Sequence, residues 1–209
     1  MFTDRTDAGE QLADLLDDHD VEADIVLAVP RGGLPVGRIV ADSLGLPLDV
    51  VAARKIGAPG NRELAIGAVA SDGSVWLNRT LIDDLGVSEP YIEERGEYER
   101  AAALDAVERY RGDRAPPDLR GKTVLIVDDG VATGATTMAC VKQVRNAGAE
   151  RIVVAVPVAP VETVERLRAE ADEVICVETP PHFRAVGQFY ERFDQVSDDE
   201  ATTFLTPEG

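Results

Sequence analysis

Apolar and polar residues are grouped along this chain in blocks. Residues 24–29 (DIVLAV), 48–53 (LDVVAA), 124–127 (VLIV), 151–156 (RIVVAV) and 173–177 (EVICV) are short apolar runs rich in β-branched side chains. Without polar alternation, such runs predict strands covered on both faces, as in a parallel sheet flanked by helices. Over residues 6–18, Leu12, Leu15 and Leu16 share one side of a polar stretch and predict a short amphipathic helix that packs and carries no chemistry. Further helices are expected from Pro35, over 135–147 with Gly148 as the stop, and over 161–170. Strands and helices therefore alternate, giving an α/β fold with a parallel sheet and right-handed crossovers.

The pattern changes between 56 and 118. Glycine- and proline-containing turns lead into apolar residues at 64–70, an SDG turn, and a second run at 74–77, which predicts a β-hairpin. Asn78 is placed to cap a short helix through 85, and Ser88 a longer one over 89–111, with Asp105 and Arg109 as an i,i+4 pair. Residues 114–118, with two prolines, read as a return linker, and 197–205 as a short closing helix or a chain end.

A length of 209 residues suits one α/β domain, 1–209, with enough chain for a sizeable core. Neither a leader-like apolar segment nor a membrane-length run is present, so a soluble, cytoplasmic protein is expected. The net charge of −18 argues against nucleic acid or an anionic membrane as partner. Lys55, Lys122 and Lys142 are the only lysines against 39 acids, a bias expected of a protein adapted to high salt, where screening relieves an acidic surface. An ordinary acidic protein from a GC-rich genome is the alternative. Cys140 and Cys176 lack metal-ligand spacing and are expected as free, buried thiols.

Candidate chemistry concentrates at strand ends. After the run at 124–127 come Asp128 and Asp129, then Gly130, Val131, Ala132, Thr133, Gly134, Ala135 and Thr136. Small residues let the backbone wrap a ligand, and the following helix aims free N–H groups at it, which together make a phosphate cradle. The acids, expected to be exposed, suit sugar hydroxyls or a divalent cation. An ordinary strand-to-helix turn with two capping aspartates is the simpler reading. A second anion site follows residues 24–29: Arg31 supplies donors, while Gly32 and Gly33 free the backbone. A side chain at Gly32 would obstruct that approach, and would strain the turn if its φ were positive. Arg54 and Lys55 are expected at the end of the 48–53 strand, facing the same sheet edge. The segment 179–193 holds three of five phenylalanines, including Phe183, and suits either a hood stacking on a planar base or an anchor for the tail.

The stretch VLIVDDGVATGATT resembles the 5-phosphoribosyl 1-pyrophosphate (PRPP) motif of the type I phosphoribosyltransferases. Its ATG run is similar to the adenine-type members, and Arg31–Gly32 and Arg54–Lys55 look like that family's pyrophosphate loop and basic pair. Gly130 stands where the family usually carries a larger apolar residue, and Ala132 where oxopurine-specific members carry a proton-handling acid. The resemblance implies a transferase that moves phosphoribosyl from PRPP to a small planar nitrogenous acceptor, releasing pyrophosphate. By the same resemblance, the 5-phosphate lies in the 131–136 loop and the ribose hydroxyls at Asp128 and Asp129, which double as catalytic and metal residues. Pyrophosphate with Mg²⁺ lies near Arg31, Gly32, Gly33, Arg54 and Lys55, after a peptide that is frequently cis. Residues 56–118 then occupy the family's flexible-loop position and either cover the site or build a homodimer interface, while 179–209 form hood and tail, with Phe183 on the acceptor. Two other readings compete. One is a catalytically silent PRPP-binding regulator. The other is a phosphoryl-accepting receiver domain, which also begins VLIVDD but needs an acceptor aspartate after a later strand, where this chain has Pro157, Val158 and Ala159.

Overall fold

A computed structural model describes residues 1–205; the final positions of the expected tail, 206–209, lie outside the described residues. The first half runs α1 (Arg5–Asp18), β1 (Ile25–Ala28), α2 (Gly33–Leu44), β2 (Leu48–Val50), β3 (Ala53–Ala58), β4 (Asn61–Ala70), β5 (Val75–Leu77), α3 (Arg79–Leu85) and α4 (Glu89–Arg111). The second runs β6 (Thr123–Val127), α5 (Ala135–Asn146), β7 (Arg151–Val158), α6 (Val161–Arg168), β8 (Glu173–Glu178) and α7 (Asp198–Thr203), with a 3₁₀ turn over Val186–Phe189.

The strands expected from unbroken apolar runs form one parallel sheet in the order β2-β1-β6-β7-β8. Ile25 lies opposite Val124, and Val127 opposite Ala155. The pleat sends alternate residues to opposite faces. Ile25, Leu27, Ile126, Ile152 and Val154 pack with Met138 and Val141 of α5, while Val26, Leu125, Val127 and Val153 pack with Leu12 and Leu16 of α1 and Val36 and Val40 of α2. From β1 the chain crosses to β2 on one side, and from β6 to β7 on the other. The loops after β1 and β6 therefore part at a topological switch point, where open α/β sheets form their ligand crevice.

Two expectations need correction here. The 48–53 run does not make one strand: after Val50 the chain leaves the parallel sheet, and Ala53 restarts as β3, antiparallel to β4. Arg54 and Lys55 are thus early residues of β3, exposed beside buried Ala53, because a strand covered on both faces could not hold two adjacent cations. Nor does Arg109 pair with Asp105; its guanidinium donates to Asp198 of α7 instead. Asn78 does cap α3, accepting from the Leu81 amide, whereas Ser88 sits at the N-cap of α4 with no bond from its hydroxyl.

Residues 56–118 are mostly regular structure. β4 and β5 form the expected hairpin, which joins β3 in a three-stranded antiparallel sheet. Ile56, Ile66, Ile82 and Ile92 give it a small core of its own. The end of α4 is tied to β2 through Arg111, whose Nε lies 3.1 Å from buried Asp49. Cys140 is buried and Cys176 half-buried, both as free thiols; burial pushes the Cys176 thiol up to about 11 and Cys140 further still. Among the described residues no helix is long and apolar enough to cross a membrane.

Candidate functional site

The loops after β1 and β6 face each other across an open cavity of about 490 Å³. Arg31 and Gly32 line it from one side and Asp128, Asp129 and Thr136 from the other, with Arg54 and Lys55 entering from β3. Gly33 opens α2 behind them and packs against the acid loop: a Cβ there would come within 2.9 Å of the Val127 carbonyl. The Pro30–Arg31 peptide is cis. Gly32 has φ −62°, so the positive-φ reason for a glycine there does not hold. Its reason is proximity, since a Cβ on Gly32 would sit 2.0 Å from Asp129 Oδ2.

The cradle is a tight turn with glycines at positive φ at both ends, Gly130 at 153° and Gly134 at 80°. Val131 donates its amide to the Val158 carbonyl, so that N–H is committed to the fold. The amides of Ala132 to Thr137 have no partner among the described residues, and the last of them belong to the first turn of α5. Free amides at a helix N-terminus are groups that can bind an anion, and of these residues Thr136 lines the cavity. Ala132 and Thr133 are exposed at the tip, while Val131, Gly134 and Ala135 are buried in its base. α6 braces the loop: Thr163, fully buried, donates its hydroxyl to the Ala132 carbonyl at 2.7 Å.

The acids are less exposed than expected. Asp129 is 8% exposed, and Asp128 is partly covered. Burial, reinforced by the neighbouring Asp129 charge, holds the Asp128 carboxyl well above the usual carboxylate range. Burial also raises Asp129, but Arg5 opposes it by ion pairing. Arg5 Nε donates to Asp129 Oδ2 at 2.8 Å, its Nη1 donates to the Asp194 carbonyl, and its guanidinium stacks 4.0 Å from the Phe193 ring centroid. The first helix, expected to carry no chemistry, thus begins with a cation in the site. From the C-terminal segment Tyr190 donates its hydroxyl to the Asp129 carbonyl, and Phe193, Asp194, Gln195 and Val196 complete the cavity wall.

The space left open at Gly130 is taken by a neighbour. A Cβ on Gly130 would meet Val186 at 2.5 Å, so the C-terminal segment fills that space. Phe183 does not line the main cavity. It packs 5.1 Å from Phe189 and borders a separate pocket of about 340 Å³ with Pro160, Glu162, Pro181 and His182, beyond the ends of β7 and β8. The remaining cations are loosely held: Arg31 lies 3.6 Å from Asp198, Lys55 3.8 Å from Glu63, and Arg54 has no ion pair among the described residues.

Comparison with known proteins identifies the family and the fold. The phosphoribosyl transferase domain family matches residues 5–194. A Mycobacterium tuberculosis protein, provisionally named a phosphoribosyl transferase, is 45% identical over 98% of this chain and 46% of its own length. The chain thus spans about half the length of the curated relatives it matches, since a hypoxanthine/guanine phosphoribosyltransferase of Methanosalsum zhilinae, 29% identical over 62% of the chain, is covered over 48% of its length. The crystal structure of a Thermus thermophilus protein superposes with a TM-score of 0.82 at 43% identity, covering 98% of this chain and 97% of the other. The chain belongs to the phosphoribosyl transferase domain family, with the type I fold.

Proposed function

We propose that this chain transfers a phosphoribosyl group from PRPP to a small planar nitrogenous acceptor and releases pyrophosphate. The observation that carries this reading is that the acid pair and the Arg31–Gly32 loop line one crevice, which the turn with the unpartnered amides joins through Thr136. PRPP presents a phosphate, a ribose and a pyrophosphate, and the crevice offers a matching partner for each.

The 5-phosphate is taken by the backbone of Ala132, Thr133, Gly134, Ala135 and Thr136, with Val131 anchoring the base of the loop. The ribose hydroxyls donate to Asp128 and Asp129. Arg31, Arg54 and Lys55 face the pyrophosphate, and Gly32 and Gly33 keep the space between the loops clear. These cations answer a specific problem: a net charge of −18 repels a highly anionic substrate at long range, so compensation must be local.

Mg²⁺ fits this donor set in a limited way. One Asp129 oxygen is taken by Arg5 and one Asp128 oxygen by the Asp129 amide, which leaves one oxygen on each carboxylate. A cation held mostly by substrate oxygens and water, with one or two carboxylates, suits that number. When bound, it neutralises charge on the pyrophosphate.

Displacement at the anomeric carbon builds positive charge on the ribose ring and negative charge on the leaving pyrophosphate. Asp128 and Asp129 lie on the side that offsets the first, and Arg31, Arg54 and Lys55 on the side that offsets the second. The acceptor enters near the C-terminal segment, where Phe183, beside a separate pocket bordered by prolines and by Glu162, His182 and Arg184, offers a ring on which a planar base can stack. A second reading, a PRPP-binding regulator without turnover, is favoured by Ala132, which offers no acid to handle a proton on a base. Pyrophosphate release from PRPP, measured across a panel of nitrogenous bases, tests both. Release with one base establishes the enzyme; PRPP binding without release for any base favours the regulator; no PRPP binding ends both readings.

A further inference from the structure

Beside the main cavity lies a second, of about 290 Å³, enclosed by the loop after β1, the start of β3, the last turns of α4 and the first residue of α7. Arg31, Arg54, Arg109, Tyr110 and Asp198 line it. Three guanidinium groups and a phenol thus face one carboxylate. In a chain with 39 acids and 21 basic residues, a local excess of positive charge calls for an explanation.

Asp198 supplies the clue. Its carboxylate accepts from Arg109 Nη1 at 2.8 Å and from Tyr110 Oη at 2.5 Å, and lies 3.6 Å from Arg31 Nη1. One carboxylate gathers these donors, while Arg54 is left without an ion pair among the described residues. A tetrahedral phosphoryl group carries more charge and more acceptor oxygens than a carboxylate, and guanidinium forks match its edges. The contacts of Asp198 are also easily exchanged. Its side chain is 41% exposed and that of Arg109 56%, and ion pairs so exposed hold little net free energy.

We propose that this second cavity is an anion subsite for a phosphoryl group, which Arg31, Arg54, Arg109 and Tyr110 take in place of the Asp198 carboxylate. Asp198 acts as a built-in anion that keeps the subsite closed until a stronger one arrives. The phosphoryl group has two possible sources, the leaving pyrophosphate of the adjoining cavity, which shares Arg31 and Arg54, and a separate phosphorylated molecule. The inference does not depend on PRPP occupying the first cavity.

Titration calorimetry with inorganic pyrophosphate and phosphate, at fixed ionic strength, tests the subsite on the parent, Asp198→Asn, Arg109→Gln and the double variant. Asp198→Asn should tighten pyrophosphate binding by about tenfold, since one competing charge is removed. Arg109 lines the second cavity and not the first, so Arg109→Gln should abolish that gain in the double variant and weaken binding in the parent background. If Asp198→Asn fails to give a cooperative melt, the Arg109→Gln comparison decides alone. Equal affinity in every folded variant overturns the proposal. Repeating the Asp198→Asn titration at saturating PRPP separates the sources: pyrophosphate that still binds marks a separate ligand, and pyrophosphate that is excluded marks the leaving-group end of the first cavity. A protein that binds pyrophosphate in this pattern but never binds PRPP would refute the proposed function and leave the subsite standing.

Discussion

Arg5 and Asp129, separated by 124 positions, form an ion pair with 2.8 Å between Nε and Oδ2 and side chains only 13% and 12% exposed. The pair neutralises the buried member of two adjacent acids and joins the first helix to the site. Removing the guanidinium leaves Asp129 without its counter-charge beside Asp128, the costly direction for a largely buried pair. Arg5→Ala should therefore destabilise the fold by about 1–3 kcal/mol. Asp129→Asn should rescue much of that loss, and a double-mutant cycle by urea unfolding measures the coupling. Additive effects would mean that the contact contributes nothing.

Gly32 tests the same carboxylate from the opposite side. Its φ of −62° suits any residue, so alanine adds no backbone strain. The added methyl would instead lie 2.0 Å from Asp129 Oδ2 and must push that side chain out of place. Gly32→Ala should lower PRPP turnover by at least about tenfold while circular dichroism stays that of the parent. Parental turnover would show that Asp129 is free to move without loss.

Replacing Asp128 and Asp129 together by asparagine should abolish PRPP turnover. The burial of Asp129 changes the expectation for stability, because a buried acid beside a partly covered one opposes folding when both are ionised, and asparagine keeps the shape without the charge. The double variant should melt at or above the parental temperature, even though it leaves Arg5 without its partner. A melt several degrees lower would mean that the Arg5 pair outweighs the repulsion between the acids.

The parts of this site legible in the sequence are those set by local pattern. β6 and its acid pair stand out because a strand buried on both faces must be an unbroken apolar run, and a run that stops at two aspartates marks its own end. The loop after β1 follows from the same logic. Arg54 and Lys55 were legible as site cations but not as members of β3, since two adjacent charges read equally as a strand end or as the exposed part of a strand. Arg5, Tyr190 and Val186 carried no local signal. Each acts across a long sequence separation, and an arginine at the start of an amphipathic helix looks like solvated surface. Gly130 showed in the sequence only as a glycine where the resembled family carries a larger residue, and nothing local pointed to Val186 as the side chain that fills the space.

Tyr110 gives a pH dependence with a defined sign. Burial, reinforced by the hydrogen bond to Asp198, pushes its phenol from 10 up to about 12. Between those values the unfolded chain has released a proton that the folded protein retains, so stability falls as pH rises from about 10 to about 12. Tyr110→Phe removes this contribution. The difference in unfolding free energy between parent and Tyr110→Phe should be constant below pH 10 and move against the parent above it. A difference that stays flat to pH 11.5 would mean that neither burial nor Asp198 raises the phenol.

Salt should stabilise this protein, and the range over which it does so identifies the cause. A net charge of −18 makes repulsion the dominant long-range force. Many of the ion pairs, such as Arg79–Glu89 and Arg120–Asp118, are largely exposed and lose little when screened. The screening length falls from about 10 Å at 0.1 M salt to about 3 Å at 1 M, so relief of repulsion is concentrated in that interval. Salting-out of apolar surface follows a different course, strengthening steadily with concentration and with sulfate more than chloride. The melting temperature should therefore climb steeply with KCl up to about 1 M and flatten beyond it, with K₂SO₄ at equal ionic strength giving the same early rise. Melts that stay flat or fall over the first molar would show that the acidic surface is a feature of composition with no bearing on stability. A rise appearing only above 1 M, and larger in sulfate, would assign the effect to the core instead of the charges.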